Sequence, residues 1–350
     1  MSLFEHPSFA DHEHVSFFCD PASGLRAIVA IHSTAPMGVA GGGCRMVDYP
    51  SSAEALTDAL RLSKAMSYKL ALAGLPSGGA KTVVIADPRR DKTEALLRAL
   101  GRCVDRLGGR YIIAEDVGTT PADMQLIGEE TQYVVGRKAD TTPATGYGVF
   151  VGLRHAAKRR LERDVEGLHV AIQGVGGVGS HLARHLHEAG ARLTVADPDR
   201  DAVAEAERRF DAESVSTDAI YDVPADVFAP CALGGTVDSS TVARLGVGMV
   251  AGGANNQLAS PAVARTLANR EIVFVPDFVL NMGGVLGAAQ EGLQLGGDDA
   301  DDIDEAKAFA SCNRIAEVLD DVFTLSRRED LLPHEAAERL AQRAIADMTS

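Results

Sequence analysis

A chain of 350 residues is too long for one ordinary core and long enough for two domains, each burying most of its apolar surface. Hydrophobic residues at 46% and charged residues at 24% give the composition of an ordered globular protein and exclude extensive disorder. Asp and Glu number 49 against 34 Lys and Arg, so most of the surface would repel a phosphate backbone, and nucleic acid is not expected as a partner.

The first residues, MSLFEHPSFADHEHVSF, carry acids and histidines where a signal peptide needs a basic segment and an apolar run. The run LRAIVAI at 25–31 reads as a buried strand, and TVVIA at 82–86 as another. Between them a helix is expected, capped by Ser51 or Ser52, with Glu54 in its first turn and apolar positions near helical spacing, running to about Tyr68. A second helix, from about Lys92 to Leu107, stops at Gly108 and Gly109, and a short strand at 111–114 follows. TTPATGYG at 141–148 reads as a punctuated connection near a domain boundary, leading to a helix over about 149–161.

Beyond it, strand 169–173, helix 180–189, strand 192–196 and helix 202–210 give the alternation of a parallel sheet. Short strands are expected at 226–229, 248–251 and 272–275, and helices from Glu305 onward. The acidic GGDDADDIDE at 296–305 reads as a solvated loop and helix start. No stretch reaches transmembrane length, so no membrane partner is expected. Five scattered cysteines without a C-x-x-C pair suggest neither a disulfide framework nor a zinc site. A cytoplasmic protein is expected.

The sharpest motif is Gly174-Val175-Gly176-Gly177-Val178-Gly179, placed after the strand VAIQ and before a helix beginning at Ser180. The first glycine permits a tight turn, the second lets backbone approach a pyrophosphate, and the third allows close packing of helix on strand. The phosphates would sit at the helix N-terminus. Asp197, eighteen residues beyond Gly179 at the end of the next strand, is placed to accept from an adenosine ribose and to repel a 2′-phosphate, which favours NAD over NADP. Asp197-Pro198-Asp199 could also simply start the next helix.

The second informative segment, KLALAGLPSGGAKT, places Lys69 and Lys81 around a glycine-rich turn beside an apolar strand. It is not a phosphate loop, because Ala80 precedes the lysine and the strand follows rather than precedes. Two ammonium groups near a small anionic substrate are one reading, with desolvation and like charge lowering a lysine pKa towards general-base use. Asp116, after the short strand, is the expected carboxylate partner. Surface lysines bordering a loop are the other reading.

Together the segments GGGCRM (41–46), DALRLSKAMSYK (58–69), GLPSGGAK (74–81), AEDVGTT (114–120), GVGGVG (174–179), APCALGG (229–235), ANNQL (254–258) and PDFVLNMGGV (276–285) resemble the Glu/Leu/Phe/Val amino-acid dehydrogenase family, its leucine and phenylalanine members most. The resemblance spans nearly the whole chain. It implies an α/β protein of two domains separated by a cleft. A substrate-binding and catalytic α/β domain would cover 1–143, a Rossmann-type doubly wound NAD-binding domain 144–326, and a C-terminal helix at 327–350 would pack back on the first.

It further implies that Lys69 binds the substrate carboxylate, Lys81 activates water, Asp116 shuttles protons at the amine, and Gly42 and Gly43 offer backbone contacts. Thr145 and Asn281 would lie near the nicotinamide and substrate, Asn255 near the nicotinamide ribose, and Ala232 beside the dinucleotide. Gly41, Ala114, Val285 and Ala288 would line the substrate side-chain pocket. Leucine enzymes usually carry leucine at the first of these positions and valine at the last, so the pocket is expected to be enlarged, with a broad apolar preference reaching to phenylalanine or tryptophan. Met282 departs from the family's usual alanine.

The implied partners are an apolar amino acid, its 2-oxo acid and ammonia, and the implied assembly is a homo-oligomer. His181, His185 and His187 are expected to be surface or packing residues rather than metal ligands, and Cys44 and Cys231 small buried hydrophobes. A non-catalytic NAD-sensing protein could share the fold but would have no use for three ionisable groups in one site. A 2-hydroxy-acid dehydrogenase would need a histidine paired with a carboxylate, which the lysine segment does not offer.

Overall fold

A computed structural model describes residues 3–137, 140–290 and 304–349, so most of the acidic run at 296–305 lies outside the described residues. The described chain forms two compact units, one of residues 3–137, 140 and 341–349, the other of 141–290 and 304–340.

The first unit contains β1 (His14–Asp20), β2 (Leu25–Ile31), β3 (Ala40–Val47), α1 (Ser52–Ala73), β4 (Gly78–Ile85), α2 (Glu94–Asp105), β5 (Tyr111–Glu115) and α3 (Pro121–Gly128). Its sheet has the order β1-β2-β4-β3-β5. β2 is antiparallel to both its neighbours, whereas β3 runs parallel to β4 and β5. β2 is buried at nearly every position because both faces are covered. Leu25, Ala27, Val29 and Ile31 share a core with Leu96, Leu97 and Leu100 of α2, and Ile28 and Ala30 join Ala55, Ala59 and Leu60 of α1.

α1 begins at the expected cap, where the Ser51 side chain accepts from the Glu54 N–H, and continues past Tyr68 until Gly74 closes it at φ +76°. Gln342, near the C-terminus, donates through Nε2 to the Tyr68 hydroxyl at 3.0 Å. The glycine-rich turn expected before Lys81 is instead the start of β4. A Cβ on Gly78 would lie 1.8 Å from the Ser33 carbonyl oxygen, and one on Gly79 would lie 2.0 Å from the Ser67 nitrogen of α1. These glycines are there for close backbone approach within a strand, not for turn geometry.

The second unit contains α4 (Thr142–Arg160), β6 (His169–Gln173), α5 (Gly177–Glu188), β7 (Arg192–Ala196), α6 (Arg200–Phe210), β8 (Glu213–Ser214), β9 (Val227–Pro230), α7 (Ser239–Arg244), β10 (Met249–Val250), α8 (Pro261–Asn269) and β11 (Val273–Phe274). It continues with α9 (Asp277–Leu280), α10 (Gly283–Gln290), α11 (Glu305–Ser311) and α12 (Asn313–Glu329); the first eight residues of α13 (Pro333–Thr349) complete it. Its sheet is parallel throughout, with the order β11-β10-β9-β6-β7-β8. This is the doubly wound arrangement, whose order reverses at β6, where ligands bind beyond the carboxyl ends of the strands.

The connection expected at 141–148 is the first part of α4. Pro143 falls in its opening turn, where a missing N–H costs nothing. Gly148 and Gly152 let other segments close on the helix, since a Cβ on Gly148 would lie 2.8 Å from Ile315 and one on Gly152 2.4 Å from Leu280. In the same way, Gly79→Ala is expected to push α1 off β4 and lower stability by about 1–3 kcal/mol, read as a reduced midpoint in urea.

Candidate active site

Lys81 lies on β4 and Asp116 directly after β5, and β3 runs between those two strands. Their side chains nevertheless meet, with Lys81 Nζ 2.7 Å from Asp116 Oδ2. The intervening residue of β3 is Gly43, where a Cβ would sit 2.8 Å from Asp116 Cβ and 3.1 Å from Lys81 Nζ. An absent side chain is what lets the pair form. The reading of both lysines as surface groups fails, because Lys81 is 3% exposed and Lys69 8%.

The residues beneath this pair are tied down by hydrogen bonds. The Thr119 hydroxyl accepts from the Asp116 N–H (3.0 Å) and donates to the Cys44 carbonyl (2.8 Å), fixing the segment after β5 to β3. Tyr111, fully buried, donates to the Gly42 carbonyl and accepts from Thr82, both at 2.9 Å. Ser67, two residues before Lys69, accepts from the N–H of Gly79, two residues before Lys81, at 3.0 Å. The helix of one lysine is thereby fastened to the strand of the other. His32 Nδ1 lies 2.9 Å from the same hydroxyl, and burial lowers this histidine to about 4, leaving a neutral ring.

Reading the sequence did not single out Arg45. Its Nε donates to Asp116 Oδ2 at 3.1 Å and its Nη1 to Asp58 Oδ2 at 3.0 Å, and the Tyr49 hydroxyl donates to the same Asp58 oxygen at 2.6 Å. The available signal was a charged residue inside an otherwise apolar, glycine-rich strand. Burial alone would raise the Asp116 carboxyl, but the Lys81 and Arg45 cations outweigh it and hold the group well below the usual carboxylate range. Neighbouring Glu115 goes the other way: burial, then the Asp140 and Asp116 carboxylates, push it from 4.5 to about 7.

Among the substrate-pocket residues, Gly41 and Ala114 belong to this first unit, where Ala114 pairs in register with Gly43. Val285 and Ala288 lie on α10 of the second unit.

In the second unit, Gly174 turns at φ +92°, and a Cβ on Gly179 would lie 1.9 Å from the Gly174 carbonyl oxygen, so the first turn of α5 packs directly on the end of β6. Gly176 faces open space, and the N-terminus of α5 has no side-chain cap. Such an uncapped, unobstructed helix end fits a pyrophosphate. Val178, in the first turn of α5, stands against Gly253, and Gly177 against Thr142. The Ser180 hydroxyl donates to the Gly177 carbonyl. Ala232 backs the turn, its nitrogen 2.9 Å from a Cβ on Gly174.

Asp197 accepts from the Val175 N–H at 2.9 Å through one oxygen and from Asp199 through the other, and it is Asp199 that caps α6. Asn281 donates to Asn255 Oδ1 at 2.8 Å and to the Gly253 carbonyl at 3.2 Å, while its own buried Oδ1 has no partner among the described residues. An acceptor left open in this way fits a carboxamide N–H. Thr145 lies under α10, its Oγ1 2.5 Å from where a Cβ on Gly284 would be. Contacts thus run without a break from the glycine turn through Cys231 and Gly253 to Asn281. Gln257, fully buried, holds this segment by donating to the Gly252 and Ala254 carbonyls, a role reading the sequence missed.

His185 packs among the rings of Tyr147, Phe150 and Phe309. Cys44 is fully buried, and burial pushes both its thiol and that of Cys231 up to about 12, so neither is a nucleophile. Met282 is also fully buried.

Two expectations follow from this geometry. Gly43→Ala should part Lys81 from Asp116 and reduce turnover by about 10²-fold, with the fold retained by circular dichroism; near-normal turnover would contradict the steric account. Glu115, raised in the folded state, contributes stability that is present below 4.5 and lost as pH rises through about 7. The melting temperature of Glu115→Gln should therefore pull progressively ahead of the parent's between those two pH values, whereas a constant difference would mean that burial does not act on this carboxyl.

Comparison with known proteins gives a consistent result. Residues 12–133 match the model for the Glu/Leu/Phe/Val dehydrogenase dimerisation domain, and residues 136–203 and 193–350 the model for Glutamate/Leucine/Phenylalanine/Valine dehydrogenase. Leucine dehydrogenase of Geobacillus stearothermophilus is 45% identical over 99% of this chain and 94% of its own. Valine dehydrogenase of Streptomyces virginiae is 41% identical over 98% and 96%. The crystal structure of L-tryptophan dehydrogenase from Nostoc punctiforme, 40% identical, superposes with a TM-score of 0.76 over 96% of each chain. The chain belongs to the glutamate/leucine/phenylalanine/valine dehydrogenase family.

Proposed function

We propose that this enzyme carries out the reversible NAD-dependent oxidative deamination of an apolar L-amino acid to its 2-oxo acid and ammonia, with leucine and other branched-chain substrates first. The observation that carries the reading is the buried Lys81–Asp116 pair built across Gly43. The Gly174–Gly179 turn with Asp197 would hold the dinucleotide, and Asn255, Asn281, Thr145 and Ala232 its nicotinamide half. A nicotinamide held there would supply the hydride acceptor for the substrate.

The chain's own residues do the rest. Lys69 pairs with the substrate carboxylate. Asp116 takes a proton from the substrate ammonium, since the α-carbon releases hydride only when the nitrogen is neutral, and then faces the iminium cation that forms. Lys81, as a neutral amine, takes a proton from the water that adds to the iminium carbon. Asp116 returns its proton to the nitrogen, which leaves as ammonia while the hydroxyl gives its proton to the freed Asp116 carboxylate and the carbonyl forms.

The Asp197 carboxylate, held against the turn by the Val175 N–H, favours a free ribose hydroxyl over a 2′-phosphate. Gly41 offers no side chain to the substrate, which favours a second reading, an aromatic substrate such as phenylalanine or tryptophan. A homo-oligomer is in keeping with the edge strand β1, which among the described residues pairs only with β2 and exposes Phe17. Among the described residues no helix is long and apolar enough to cross a membrane.

Absorbance at 340 nm with NAD or NADP and a panel of L-leucine, L-valine, L-phenylalanine, L-tryptophan and lactate tests the proposal. Reduction is expected with the apolar amino acids, with NAD preferred, and none with lactate. Lys81→Ala and Asp116→Asn should each lower kcat/KM by about 10²–10⁴-fold. Dinucleotide binding without turnover of any amino acid would favour the sensor reading instead.

A further inference from the structure

The proposed chemistry asks Lys81 to lose its proton beside a half-buried carboxylate. At that moment Asp116 would stand without its nearest cation in a poorly solvated site, where a lone carboxylate takes up a proton rather than remain charged. Among the described residues Arg45 is the one other cation paired with it, with Nε 3.1 Å from Asp116 Oδ2 and a side chain 7% exposed. A guanidinium does not titrate in the working range of an enzyme. Its far end is held by Asp58, itself held by the Tyr49 hydroxyl, so charges alternate along Asp58, Arg45, Asp116 and Lys81 and sum to zero.

We infer that Arg45 is a positioning residue for this reaction: anchored by Asp58, it is the permanent counter-charge that keeps Asp116 ionised and oriented, ready to take the substrate's proton, when Lys81 is in its neutral form. This rests on reading Lys81 and Asp116 as the proton-transfer pair. The orientation follows from both cations sharing Oδ2, which fixes the rotation of the carboxyl and leaves Oδ1 outside the clamp.

The other ionisable groups around Asp116 cannot take over this role. Cys44 on β3 and Tyr111 on β5 stay neutral, pushed up by burial, and Glu115 is an acid that repels Asp116. Asp58 comes from α1, pairs with Arg45 and is an acid, so it supplies no positive charge to Asp116. Replacing Arg45 by lysine is not conservative, because one ammonium cannot reach both acids in the geometry of a planar fork.

The test is the pH dependence of kcat and kcat/KM for the best amino acid of the panel, in the parent, Arg45→Met, Arg45→Lys, Asp58→Asn and Asp116→Asn. Loss of a neighbouring positive charge raises both macroscopic pKa values of the Lys81–Asp116 pair, so the acid limb of Arg45→Met should move to higher pH by about one unit or more. Arg45→Lys should move it part of the way. Asp58→Asn removes a negative charge behind Arg45 while its amide oxygen can still accept from Nη1 and keep the guanidinium anchored, so the limb should move the opposite way, to lower pH, a sign that loosened packing does not predict.

Limbs that coincide with the parent's in Arg45→Met and Asp58→Asn overturn the inference. Should Arg45→Met not fold, Asp58→Asn decides, and an unmoved limb or one displaced to higher pH overturns it. Near-normal turnover of Asp116→Asn sinks the proton-transfer reading and this inference with it. Inactive Asp116→Asn combined with unmoved limbs removes only the role of Arg45.

Discussion

The site depends on a strand that has no side chain where two others must meet. Parallel strands lie about 4.8 Å apart, so residues on β4 and β5 are separated by two such spacings and by whatever β3 projects between them. Lys81 spans that gap with a long stem, and Gly43 leaves the corridor open for it. Gly42 answers a different demand, since a Cβ there would lie 1.8 Å from the Ala80 carbonyl oxygen. Three successive glycines thus weaken β3 as a strand, and hydrogen bonds donated by Tyr111 and Thr119 to its carbonyls, with the Met46 N–H donating to the Val117 carbonyl, compensate for the missing side-chain packing.

Electrostatics then follows from the packing. A lysine 3% exposed is tolerable only with a partner, and the partner, once buried, needs a second cation if the first is to be free to change charge. The depressed Asp116 and raised Glu115, adjacent in sequence, show how much the direction of a neighbouring charge matters. One faces two cations, the other two carboxylates. Local composition, Glu-Asp in both cases, is silent on that difference.

How far the sequence could be read depended on whether the determining contacts were local. The strands Leu25–Ile31, His169–Gln173 and Arg192–Ala196 were legible to the residue because an apolar run bounded by turn residues contains its own evidence. The Gly174–Gly179 turn was legible for the same reason, its strand, glycines, helix and terminal acid all lying within one βαβ unit. The start of α4 and the first residues of β4 depart from the expectation because glycine has two uses. Both segments read as places where the backbone bends, whereas in both the backbone is regular and a neighbour presses on it.

The same distinction explains why Arg45 escaped notice while Lys81 did not. A lysine beside a glycine-rich stretch is conspicuous in one dimension, and so suggested a site before any fold was known. Arg45 acquires its meaning only when β3 is laid between β4 and β5 and α1 brings Asp58 to its far side. No window along the chain contains that information, because residues 45, 58, 81 and 116 come from four different elements or their ends. A buried charge in an apolar strand is therefore the feature to question first in such a sequence, since the free energy of its burial demands partners that the local sequence does not show.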